Sequence, residues 1–252
     1  MRVFKILISA MFILLVSLQA FAMDAEELIY LTEDYKLYSY IENNQMKGIA
    51  IDLLKLMWSE MGVPEQKIKF LPWARGYFAL QTQPKTVLFA TARTKERENL
   101  FKWVCPITTN KYVLIALKKR NIKINTLEDA RKYRIGAIRE DIAEQILLNA
   151  NFQAGLGKEI DSVTRMEQNF RKIQVNRIDL IAYGENGVFE YINDLGLKPN
   201  DFETVFDLKE STICYAFHKN TEDQLIKKFQ MALDAIGKKP ILDTLLKQYF
   251  GQ

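Results

Sequence analysis

Between residues 28 and 117 the apolar positions follow two spacings. Short runs of strand length stand at 28–32, 86–90 and 112–117, and residues 67–71 alternate apolar with polar. Between them, Ala50, Leu53, Leu54, Met57, Trp58 and Met61 recur at the three-and-four interval that lines one helix face. Gly48 precedes that helix, and Gly62 with Val63 and Pro64 stops it. A second helix opens at Pro72 and Trp73 and runs through Leu80. Thr94, followed by Glu96 and Glu98, predicts a further helix start just after the 86–90 run. Strands alternating with helices predict a parallel sheet covered by helices. A polar loop carrying Tyr35, Tyr38 and Tyr40 follows the first strand.

Lys118, Lys119, Arg120 and Asn121 interrupt this pattern, and a second series begins. Thr126 caps a short helix whose first turn holds Glu128 and Asp129. A strand at 133–138 precedes a helix capped by Asp141 and carrying Ile142, Ile146 and Leu147. Met166, Phe170 and Ile173 share one helix face, residues 180–183 form a strand, and Val188, Phe189 and Ile192 mark the helix after it. Residues 212–217 read as a strand. Two closing helices start at Thr221, with Gln224 in the capping-box position, and at Pro240. The chain is therefore read as α/β, two units in series with a helical tail.

Composition changes this picture at the start of the chain. Arg2 and Lys5 precede an apolar run at 6–18 and a small-x-small site at Ala20, Phe21 and Ala22, the pattern of a cleaved secretory signal peptide over 1–22. Of 35 Lys and Arg against 31 Asp and Glu, those two basic residues fall in the leader, and the rest is close to neutral. That balance gives no footprint for nucleic acid. Cys105 and Cys214 fit no zinc spacing and read as buried thiols on separate strands, not bonded to each other. His218, the single histidine, reads as a surface residue at a strand end, and no metal site is expected.

The stretch 90–105 holds the candidate chemistry. Arg93 and Arg97 stand four apart after an apolar run and before Phe101 and Trp103. Two readings are open: a solvated turn with the arginines paired to Glu96 and Glu98, or a guanidinium at a strand end that holds a carboxylate through two parallel hydrogen bonds.

In order and spacing, several segments resemble the periplasmic solute-binding proteins of family 3, which capture polar amino acids for ABC importers. They are Thr32 with Tyr35, Gly48 to Leu53, Thr94-Lys95-Glu96-Arg97, Pro106, the Tyr133 to Ile138 strand, Asn176 to Leu180, and the ending Leu245 to Phe250. The resemblance implies a two-lobed fold of type II with two crossover strands. Lobe one would span 23–115 and be completed by 213–252, and lobe two would span 116–212. It implies a monomer in the periplasm that binds a small carboxylate-bearing solute between the lobes, works with importer membrane subunits and carries no cofactor. Arg97 matches the family's carboxylate-binding arginine, Tyr35 its aromatic wall, and Trp73 the contact at the start of the second helix. Arg93 has no counterpart and is read as an extra cationic contact or a prop.

The chain departs from the family pattern at two places. Glu140 and Asp141 stand where the family has Gly-Thr at a helix start, and those acids oppose an anion unless they point away or meet a positive group. Gly184 takes the place of the Asp that meets a ligand ammonium, with Glu185 beside it as a substitute. The resemblance extends to periplasmic dehydratases acting on cyclohexadienyl acids, so an enzyme on the same fold is the alternative reading, with Glu140, Asp141 and Glu185 as the acid–base candidates. A sensor or interaction domain is the third.

Overall fold

The computed structural model describes residues 24–251, so the leader reading lies outside the described residues. Strand β1 (Ile29–Thr32) is followed by a hairpin, β2 (Tyr40–Glu42) and β3 (Gln45–Lys47), within the segment read as a loop. Then come α1 (Ile49–Glu60), β4 (Ile68–Phe70), α2 (Trp73–Thr82) and β5 (Thr86–Arg93). The buried side of α1 carries Leu53, Leu54, Met57 and Trp58, as its spacing requires. Gly48 sits at φ +125°, and a Cβ there would lie 2.3 Å from the Tyr38 carbonyl oxygen, so the entry into α1 needs glycine.

The long strand β6 (Phe101–Leu117) opens the second series. It continues with β7 (Ile135–Ile138), α3 (Ile142–Asn149), β8 (Ile160–Val163), α4 (Met166–Gln174), β9 (Leu180–Gly184) and α5 (Glu185–Asp194). The equally long β10 (Phe202–His218) returns, and α6 (Asp223–Ile236) and α7 (Pro240–Phe250) finish the fold. One sheet has the order β4-β1-β5-β10-β6-β9-β7-β8. Its flanks, β4-β1-β5 and β9-β7-β8, are parallel. The central β10 and β6 are antiparallel to each other and to their outer neighbours. Because β6 and β10 pair from Phe101 with His218 to Leu117 with Phe202, they run through both halves and are the two crossover strands of a two-lobed fold. Helices cover each half. The tail returns to the first half, where Tyr249 Oη donates to Asp52 at 2.6 Å and accepts from the Gly48 N–H at 3.1 Å.

Three expectations are overturned. No helix starts at Thr94: residues 95–100 are turn, closed by Arg97 N–H to the Thr94 carbonyl and Leu100 N–H to the Arg97 carbonyl. With β6 beginning at Phe101, the connection is too short for a helix of ordinary length. Cys105 and Cys214 form a disulfide. They lie on β6 and β10 where these strands are neighbours, beside a register shift between Ile213 and Tyr215, so the bond stays within one half of the fold. His218 ends β10 as read, but it is buried, 4% exposed, and burial lowers its pKa. Among the described residues no helix is long and apolar enough to cross a membrane.

Candidate functional site

The site lies where the two halves meet, at the C-terminal ends of β1 and β9, as expected for an open α/β sheet. The turn after β1 is closed on itself: Tyr35 and Ser39 exchange backbone hydrogen bonds at 2.7 and 2.9 Å, and the Ser39 hydroxyl bonds the Thr32 hydroxyl at 2.7 Å. This aims Tyr35 inward. Its ring packs on Tyr38 and, across the halves, on Tyr183 at centroid distances of 4.5 and 5.2 Å. Asn110 of β6 donates to its hydroxyl. Gly184 and Gly187 make room: a Cβ on Gly184 would fall 2.3 Å from Tyr35 Oη, and one on Gly187 2.7 Å from its ring.

Trp73 opens α2, stacks on Tyr77 at 5.6 Å, and donates its indole N–H to the Glu140 carbonyl at 2.7 Å. Arg97 lies under the same pair of rings, 5.3 Å from the Trp73 centroid and 4.8 Å from that of Tyr77. Its Nη2 donates to the Glu140 carbonyl at 3.1 Å and its Nη1 to the Ala92 carbonyl at 3.4 Å. Two residues of the first half thus hold one carbonyl of the second. Glu140 has φ +63°, a left-handed conformation that only specific contacts maintain in a residue other than glycine. Its own N–H donates to Glu144 at 2.6 Å.

Asp141 follows, as the N-cap of α3, 8% exposed. Burial raises its pKa to about 6, against the lowering effect of Arg97 and of the Ile142 and Ala143 N–H groups. Its Oδ2 is buried and has no hydrogen-bond partner. Burial, and then the Asp141 charge, push Glu33 well above the carboxylate range. Tyr35, Tyr112 and Tyr183 around this pair are likewise raised well above the usual phenol value, first by burial. Glu33 also lines a cavity of about 280 Å³ between the halves, with Asp34, Phe70, Leu71 and Pro72 on one side and Ile138, Arg165, Glu167, Tyr183 and Tyr191 on the other. A second cavity, about 200 Å³, lies beyond Arg97 and Glu140 and includes Tyr77, Glu96 and Lys209. The rim is closed by Tyr191 Oη donating to the Asp34 carbonyl at 2.6 Å and by the Lys36–Asp194 ion pair. Among the described residues no group of three or more His, Cys, Asp or Glu is placed to hold a metal ion.

Of the residues singled out in the sequence, Tyr35, Trp73, Arg97, Glu140 and Asp141 are brought together at this junction. Arg93 is not. It is on the outer end of β5, paired with Glu98 and close to the Trp103 ring, which is the solvated-turn reading for that arginine. Glu185 accepts from the Thr204 hydroxyl at 3.0 Å and does not line the cavity between the halves. Sequence reasoning passed over Glu33, Asn110, Tyr183 and Tyr191. The usable signal was position: Glu33 and Asp34 directly follow the first strand and Tyr183 is at the end of another, where α/β sheets place their ligands.

The sequence model of the Bacterial extracellular solute-binding proteins, family 3, matches residues 28–252. No curated protein matches the chain in sequence. Among solved structures, a histidine kinase sensor domain with similarity to periplasmic binding proteins aligns with a TM-score of 0.79 at 17% identity, covering 91% of this chain and 98% of that one. A substrate-binding protein of an ABC uptake transporter from Streptococcus pneumoniae, with bound histidine, aligns with a TM-score of 0.78 at 17% identity, covering 90% and 93%. ArtJ from Geobacillus stearothermophilus, an arginine-, lysine- and histidine-binding protein, gives 0.76 at 17% identity, covering 90% and 96%. At these identities the likeness establishes the fold, that of a type II periplasmic binding protein.

Proposed function

The chain belongs to the bacterial extracellular solute-binding proteins of family 3, and on that premise we propose that it captures a small amino-acid-like solute between its lobes, without turnover, and delivers it to an ABC importer. The observation that carries this reading is the cavity of about 280 Å³ lined from both halves, with aromatic walls and a few charged groups, the usual make-up of a small-molecule site. The N-terminal leader pattern supports a periplasmic protein. The lobes are taken to divide in the middle of β6 and β10, where Asn110 pairs with Ser211, so that bending there opens the cleft. The basic amino acids bound by the solved relatives support a solute with an amine or guanidine.

In place of the carboxylate anchor expected of it, Arg97 acts here with Trp73 as a closure residue. Both hold the Glu140 carbonyl across the lobes, and the chain's own Asp141 already lies within the field of the guanidinium. A thermal-shift panel of amino acids, amines, dicarboxylates and sugars tests capture, since a solute at 100 times its dissociation constant adds about 2.7 kcal/mol. No shift with any class refutes it. A second reading, sensing instead of delivery, is favoured by the histidine kinase sensor domain among the solved relatives. Uptake of the identified solute in cells lacking this protein separates the two, because unchanged uptake removes the importer role and leaves the sensor.

A further inference from the structure

Arg97, bonded to the Glu140 carbonyl from the first lobe, and the N-terminus of α3, which follows Glu140 and Asp141 in the second, lie on either side of the same junction. A guanidinium and a helix N-terminus at one junction form an anion slot. Asp141 is in it: its carboxylate lies within the field of Arg97 and of the Ile142 and Ala143 N–H groups. The slot therefore holds a carboxylate that belongs to the chain. A second carboxylate brought by a solute would meet Asp141 and Glu33 in a buried space, with the one buried arginine there already bonded to two carbonyls.

The charges around the cavity lead the same way. The cavity is lined by three acids, Glu33, Asp34 and Glu167, and one base, Arg165, and Asp141 lies close by within the field of Arg97. None of these four acids makes an ion pair among the described residues; the nearby Lys36 is taken by Asp194. Asp141 Oδ2 is a buried acceptor with nothing to accept from. A carboxylate oxygen without a donor costs free energy, and a cation in the adjoining cavity reduces that cost and favours the ionised form of Glu33. Phe70, Tyr183 and Tyr191 add ring surface suited to a cation or its alkyl chain.

We propose that Asp141 fills the anion slot from within the chain, and that the solute is a small organic cation without a free carboxylate, an alkylamine or guanidine held at Glu33. This inference rests on the solute-capture reading above. Agmatine and arginine are the decisive probes, because they differ only in the carboxylate.

Calorimetric titration of the mature chain is expected to show agmatine binding at least about tenfold more tightly than arginine, and glutamate not binding. Arginine binding as tightly as agmatine, or agmatine failing to bind, overturns the proposal. Asp141→Thr empties the slot while keeping a helix cap, and should shift the agmatine-to-arginine ratio toward arginine by about tenfold or more. An unchanged ratio in the folded variant also overturns it. Should Asp141→Thr not fold, Glu33→Gln tests the other half: agmatine affinity should fall about tenfold or more, and undiminished binding counts against the proposal. The two readings fail separately. If the solute panel yields an anionic or neutral ligand, capture stands and the cation assignment falls, whereas if nothing binds the folded protein both fall.

Discussion

At the scale of single residues, the junction is organised by Asp141 and by the carbonyl just before it. Asp141 titrates near 6 in the folded chain, against 3.8 as its ordinary value. Between those values the folded state holds more protons than the unfolded one, so this group's contribution falls as pH rises through the window. Its cost is complete above about pH 6 and absent below about pH 4. A rise of this size corresponds to about 3 kcal/mol. Asp141→Asn, which imitates the protonated acid, is therefore expected to be more stable than the parent by about 2–3 kcal/mol at pH 8, with the gain fading toward pH 4. The groups that share its field are Arg97, Glu33, Glu144, Tyr35, Tyr112 and Tyr183. Urea unfolding at three pH values reads the effect, and a gain that does not vary with pH would show that the Asp141 carboxyl does not titrate in this window.

At the scale of elements, the strands and helices with a clean period were legible, and those without one were not. The α1 face and the apolar runs of β1, β5 and β9 were read from spacing because each buries one kind of surface throughout. The long strands were read short. In β6 only residues 112–117 form an unbroken buried run; its first part passes Pro106, Thr108 and Thr109 on the way between lobes, and burial alternates irregularly there. The same holds for β10, where residues 203–210 are mostly half-exposed and only the end from Ile213 is continuously buried. β8 was missed because Asp161 and Ser162 fill half of its four positions. Within the site, Tyr35, Trp73 and Arg97 came from a resemblance, whereas Glu33 and Asn110 needed the fold, since nothing local to either residue marks it. The disulfide is a pairing of this kind too. Cys105 and Cys214 are 109 residues apart in sequence and meet only because β6 and β10 are neighbours. A cross-link of that span is worth about 2–5 kcal/mol. Thiol titration of the unfolded, non-reduced protein should find no free thiol from this pair. The Cys105→Ser, Cys214→Ser double variant should unfold at lower urea by that amount, with solute affinity little changed, because both residues lie on one side of the bend. Two free thiols would return the protein to the unbonded state first expected.

At the scale of the whole molecule, closure of the lobes depends on how near their backbones come at Tyr35. Gly184 ends β9 at the floor of the cleft, and the Tyr35 hydroxyl and the Asn110 amide both stand where its Cβ would be, at 2.3 and 2.2 Å. Neither neighbour has somewhere to go. Tyr35 is wedged between Tyr38 and Tyr183, and Asn110 is buried at 2% exposure in the strand that carries the bend. A methyl group at 184 is thus a wedge between lobes, not a defect within either one. Gly184→Ala is expected to keep its helix and strand content by circular dichroism while the lobes stay parted. The bonds that span them, Trp73 and Arg97 to the Glu140 carbonyl and Tyr191 to the Asp34 carbonyl, would then not form together. An open clamp forfeits the binding free energy that closure supplies, so solute affinity should fall about tenfold or more. Small-angle scattering with saturating solute should give a larger radius of gyration for the variant than for the parent. Parent-like affinity and radius together would mean that the Tyr35–Gly184 approach is not part of the solute-bound form, and the hinge would then have to close on the Glu140 carbonyl alone.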